Sequence, residues 1–176
     1  MMRKRISKTL EAAIARTTFN ISSDGITTSY LDRLIIELLG DDATFAYRLL
    51  EHIIGERGVA IVLRRMVHSI IAEPIAESMR PENYYHAMCG ELQHVVDAKR
   101  ISTVHVLYHA IVKGNCSFAY EMRGYGIDES DILEATESII YSPSVVSPDN
   151  DGNIVEGENC VILLVNDVVK HRDEAC

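Results

Sequence analysis

Apolar residues recur along the chain at helical spacing, in runs separated by short polar breaks. Ile6, Leu10, Ala13, Ile14 and Thr17 fall on one helical stripe. Val59, Val62, Leu63, Met66, Val67, Ile70 and Ile71 keep i, i+3, i+4, i+7 spacing, with Arg64, Arg65 and His68 on the opposite face. Tyr85, Met88, Cys89, Leu92, Val95 and Val96 form a further stripe, and Ile132, Ala135, Thr136, Ile139 and Ile140 another. The pattern predicts helices over about 4–18, 28–39, 43–54, 57–72, 82–98, 103–113, 116–123 and 129–140. Thr28 and Thr103 are the expected N-caps of the second and sixth helices, and Asp128 that of the last. Gly40 and Gly114 are expected to end helices in the left-handed conformation. Helices this short are marginal alone in water, so their stripes must pack on one another.

The eight helices are two copies of one unit. The stretch from Ile26, ITTSYLDRLIIELLGDDATFAYRLLEHIIG, parallels that from Ile101, ISTVHVLYHAIVKGNCSFAYEMRGYGID. Ile26-Thr27-Thr28 matches Ile101-Ser102-Thr103, and Phe45-Ala46-Tyr47 matches Phe118-Ala119-Tyr120. Tyr47 and Tyr120 occupy equivalent positions and are expected to pack structurally. The expected fold is all-α, two pseudo-symmetric four-helix repeats packed as one bundle over 1–140, with repeat one at 4–72 and repeat two at 81–140. The remainder, 141–176, changes character. YSPSVVSPDNDGNIVEGE reads as extended chain. CVILLVNDVV, 160–169, reads as a strand or a short buried helix, and as a strand it pairs with SIIYSPSVV in a small hairpin.

Composition narrows the function classes. The chain has 176 residues, 47% of them apolar and 24% charged, with a net charge of −9, values usual for a globular domain. An acidic balance argues against a nucleic-acid partner, which requires a basic face. No run approaches the roughly 18 apolar residues of a membrane span. The basic start, MMRKRISKTLEAA, lacks the apolar segment of a secretory signal. A cytoplasmic protein with free thiols at Cys89, Cys116, Cys160 and Cys176 is the expectation.

The paired motifs resemble the N-terminal domain of the Clp family of protein-unfolding ATPases. Each family repeat opens on a Gly-Thr-Glu-His-type start, continues as an aliphatic run and a polar break, and ends in Leu-Gly-Val/Ile-Asp. The second copy has Ser102-Thr103-Val104-His105, then VLYHAIV, then Gly124-Tyr125-Gly126-Ile127-Asp128. The first has Thr27-Thr28-Ser29-Tyr30, then LDRLIIELL, and ends on Ile54-Gly55. Pro81 also matches the start of a family repeat. The likeness spans about residues 4–140. It implies a non-catalytic domain that binds adaptors and unfolded or tagged client proteins for an AAA+ ATPase module, in cis or in trans. Some family members bind phosphorylated arginine through the motif's Glu. Ser29 and Val104 stand at those positions here, so that recognition is not expected. The resemblance puts the protein-binding residues at Ser29, Tyr30, Val104 and His105, and Tyr84 joins them as a tyrosine available to a partner.

Other chemistry was weighed residue by residue. No Gly-x-x-x-x-Gly-Lys-Ser/Thr occurs, so the chain carries no phosphate cradle of that type and no cofactor is expected. His105 and His109, four apart on a helix, have a zinc spacing. Val106 replaces the Glu of His-Glu-x-x-His and no third ligand is evident, so His105 is expected to hydrogen-bond at its helix start. Arg64, Arg65 and His68 read as a solvated face rather than an anion site. Cys89 reads as core, and no nucleophile–base constellation clusters in the sequence. A cysteine- or histidine-dependent enzyme is the lowest-ranked alternative.

Overall fold

A computed structural model describes residues 5–24, 30–69, 90, 100–132, 139–141 and 160–162. Within them the order is β1 (Arg5–Ile6), α1 (Lys8–Asp24), α2 (Tyr30–Leu39), α3 (Phe45–Ser69), β2 (Arg100–Ile101), α4 (Thr103–Lys113), α5 (Ser117–Gly124), β3 (Ile139–Tyr141) and β4 (Cys160–Ile162). A further helix begins at 129–132. The architecture is mostly helical, with two short two-stranded ladders. No helix among the described residues is long and apolar enough to cross a membrane. Of the predicted helix at 82–98 only residue 90 is described, as helix, and Cys89 lies outside the described residues.

The predicted stripes are the buried faces. Leu10, Ala13, Ile14 and Thr17 are buried on α1, and Val59, Val62 and Met66 on α3. One cluster joins them to Leu34, Ile35 and Leu38 of α2 and to Phe45, Phe118, Val104 and Leu107. Val67 departs from the expectation: it is 51% exposed, because the α3 stripe narrows toward the helix end.

The first helix starts later than predicted. Arg5–Ile6 pairs in parallel with Arg100–Ile101, and Ser7 N–H continues the ladder to the Ile101 carbonyl at 2.8 Å. The Ser7 hydroxyl then caps α1, accepting from Leu10 N–H at 3.2 Å. This ladder lays the start of the first repeat beside the start of α4 in the second.

Gly55 separates two helical arms inside α3, matching the predicted helices at 43–54 and 57–72. Its φ of 76° and ψ of 163° lie where only glycine is at ease. Gly114 ends α4 in the left-handed conformation at φ 70°, as expected, while Gly40 does not adopt it. Gly40 instead closes α2 through its N–H to the Ile36 carbonyl at 3.0 Å. Asp128 caps the last helical start, its carboxylate accepting from Ser130 and Asp131 N–H at 2.9 and 3.2 Å. Asp131 returns the contact to Asp128 N–H at 2.8 Å. The helix predicted over 129–140 does not reach its end: Ile139–Tyr141 is strand, paired antiparallel with Cys160–Ile162. Three residues rich in β-branched and aromatic character are satisfied by a ladder partner there.

Candidate protein-binding surface

The residues that the sequence singles out as a binding site are core residues wherever they are described. Tyr30, Val104 and His105 are all buried. The Tyr30 hydroxyl donates to the Ile14 carbonyl at 3.0 Å and lies 2.9 Å from the Thr18 hydroxyl, which ties α2 to α1. His105 sits in the first turn of α4, and its Nδ1 accepts from Ser102 N–H at 2.8 Å. That bond puts the ring proton of a neutral imidazole on Nε2. His105 therefore does what the sequence reading expects of it at the helix start, but it offers a partner no surface. Ser29 and Tyr84 lie outside the described residues. In this fold Tyr30, Val104 and His105 pack inside the helical body.

Thr103 also has a different task from the expected cap. Ser102 is the N-cap of α4, and the Thr103 hydroxyl instead accepts from Ala46 N–H of α3, at 2.9 Å and 57 residues away. The second repeat receives the same service. Asp32 of α2 reaches the first turn of α5, where Ser117 and Phe118 N–H donate to its carboxylate at 3.3 and 3.5 Å. Thr103 and Asp32 thus each cap a distant helix that starts at a Phe-Ala-Tyr sequence. A carboxylate at a helix N-terminus is stabilised by the orphan N–H groups and the helix dipole. Asp32 had a signal in the sequence, since it is a charge on the apolar stripe of α2. Its distant partner had none. Asp32→Ala is expected to cost about 1–2 kcal/mol and to lower the melting temperature without changing the helical circular-dichroism spectrum. A melt indistinguishable from wild type would remove the cross-repeat cap from the stability of the fold.

Among the described residues, Cys116 is poorly placed to act as a nucleophile. Cys116, the N-cap of α5, is buried, and its thiol donates to the Ala110 carbonyl at 3.5 Å. Burial pushes its pKa up, aided by the nearby Asp32 charge and opposed by N–H contacts from Ala119 and Phe118. A protonated thiol is a poor nucleophile. Among the described residues no three His, Cys, Asp or Glu side chains gather as a metal set. Arg64, Arg65 and His68 are exposed, and Arg65 pairs with Glu121 of α5 at 3.2 Å.

One exposed surface among the described residues lies around α5 and the end of α4. Tyr120 is 62% exposed, unlike its counterpart Tyr47, so the two tyrosines do not pack alike. Tyr47 is partly buried against the core, and its hydroxyl pKa is raised by desolvation and by Glu51, Glu56 and Asp42. The Arg123 guanidinium sits 4.8 Å from the centre of the Tyr120 ring and donates to the Gly114 carbonyl. Beside this pair is a cavity of about 360 Å³. Ile111, Ala119 and Ile127 form its apolar part, and Arg123, Asp128, Glu129 and Ser130 its polar part. The sequence reading missed this site because its residues come from three segments, each unremarkable alone. No protein family, curated protein or solved structure matches this chain.

Proposed function

We propose that this chain is a protein-binding domain that recognises adaptors and client proteins for a Clp-type ATP-dependent unfoldase or protease. The duplication supports the reading best. As the sequence reads, two copies of one helical unit form the chain, and Thr103 and Asp32 cap the Phe-Ala-Tyr helix starts across them, an assembly suited to binding. Its action is recognition, with the ATPase module supplying the force, and it turns over no substrate of its own. Affinity for flexible clients is modest, because ordering them opposes binding. Its expected setting is the cytoplasm.

The experiment joins this chain to a Clp-type ATPase ring stripped of its own N-terminal domain and follows unfolding of a tagged client with and without adaptor. The expected result is faster unfolding than by the stripped ring, abolished when the chain is pre-melted. Equal rates, together with no binding of adaptor or unfolded protein to the isolated chain, would overturn the reading. A second reading, a free-standing adaptor or regulator of the same ATPases, draws on the paired β3 and β4, with β4 approaching α3. That arrangement is more than a polar tether requires. Stoichiometric capture of an intact Clp ATPase ring by the separate chain distinguishes it.

A further inference from the structure

The two repeats differ where the cavity lies. Position by position, Arg123, Ile127 and Asp128 of the second repeat stand where the first has Leu50, Ile54 and Gly55. Leu50 is fully buried in the core cluster. Arg123 is exposed and turned outward, its guanidinium held by the Gly114 carbonyl and the Tyr120 ring. Its aliphatic stem is left to line the cavity, as long cationic side chains commonly do on apolar surface. Where the first segment has a buried Leu, the second has an exposed Arg beside a cavity.

The chemistry of the opening selects its occupant. Ile111, Ala119 and Ile127 offer apolar surface, and about 360 Å³ is near the lower end of the range, roughly 300–1,000 Å³, of small ligand pockets. That size suits one large aliphatic side chain. The rim beyond it is acidic, with Asp128 and Glu129 both exposed. Its one lining cation, Arg123, is already engaged by a carbonyl and an aromatic face. The helix start at Ser130 and Asp131 does not attract an anion, because the Asp128 carboxylate already accepts both N–H groups. Tyr120 stands at the edge, exposed and stiffened by Arg123, a combination favoured at protein contacts.

We propose that the cavity between α4, α5 and the helix start at 129–132 is a peptide-binding pocket that takes a large aliphatic side chain flanked by Lys or Arg, the aliphatic group on Ile111, Ala119 and Ile127 and the cation on Asp128 and Glu129. The proposal deepens the client-binding reading and rests on it, since it names the class of segment recognised. It also moves recognition away from Tyr30, Val104 and His105, which are buried, to the opposite end of α4.

The test uses the full chain and three fluorescein-labelled decapeptides read by anisotropy. One has a central Leu between Lys residues, one has the same Leu between Glu residues, and one has Ala between Lys residues. The Lys–Leu peptide is expected to bind best. Glu129→Lys, at an exposed position, is expected to weaken it about fivefold and to strengthen the Glu–Leu peptide by a similar factor, as reversal of a rim charge does. Arg123→Leu removes the side chain that the Gly114 carbonyl and the Tyr120 ring hold outward at the cavity and is expected to abolish the difference between Leu and Ala peptides. Thermal melts of both variants check that they fold. Equal binding of the Lys–Leu and Glu–Leu peptides by wild type, or a preference that Glu129→Lys leaves unmoved, overturns the pocket. A reduced and carboxymethylated unfolded protein, bound equally by wild type and Glu129→Lys, would leave the client-binding reading standing without this pocket. Peptide binding that reverses with charge, beside no binding of unfolded protein or adaptor, would keep the pocket and end the client reading.

Discussion

Phe118→Ala is expected to destabilise the protein by about 3–5 kcal/mol, the cost of deleting a large buried aromatic ring whose neighbours cannot close the space. Phe118 is fully buried in a cluster that also holds Phe45, its counterpart in the first repeat, together with side chains from α1 to α5. Because one cluster serves both repeats, Phe45→Ala is expected to lower stability by a similar amount. Each variant should still unfold in a single urea transition, followed by circular dichroism at 222 nm. The wild-type midpoint gives the reference. Two separate transitions in Phe118→Ala, one of them at the wild-type midpoint, would show that the repeats fold independently and share no core. A loss below about 1 kcal/mol would place the ring at a site that collapses freely.

The second large effect is expected at Gly55, from the backbone alone. Its φ of 76° with ψ of 163° lies in a region that residues with a Cβ scarcely occupy, so Gly55→Ala is expected to cost about 3 kcal/mol. No neighbour lies within 4 Å of a Cβ built there, so steric contact elsewhere cannot account for the loss. Gly124→Ala is the matched comparison: it too meets nothing within 4 Å, and its φ is ordinary. That variant is expected to be neutral or to gain up to about 1 kcal/mol through the unfolded chain. Chemical denaturation of the pair separates the two causes. If Gly55→Ala were as stable as Gly124→Ala, the arms of α3 would have to join through a backbone compatible with any residue, as in one continuous helix.

Local physics was legible in the sequence. The stripes of α1, α2 and α3 appear as buried faces because helical spacing alone decides which side chains share a side. Gly114 ends α4, and Asp128 starts a helix, because each acts on backbone groups within a few residues of itself. The Phe-Ala-Tyr repetition located the two equivalent helix starts for the same reason. Boundaries were less legible where a ladder partner intervened: β2 drew Arg5–Ile6 out of α1, and the helix expected to 140 gives way at Ile139–Tyr141 to the ladder with Cys160–Ile162 that the hairpin reading of these segments expects.

The candidate site was legible hardly at all. Tyr30, Val104 and His105 stand out in the sequence because they belong to a repeated motif, and the structure uses that motif to build the interior. Tyr47 and Tyr120 are equivalent in sequence, yet one is partly buried and the other exposed. The sequence by itself determined α1 to α5 and their buried faces, since those follow from short-range periodicity. Only the tertiary structure decided that Thr103 and Asp32 cap helices of the opposite repeat and that Ile111, Ala119 and Ile127 meet around a cavity. Such contacts join residues far apart along the chain, and spacing carries no information about which distant groups packing brings together.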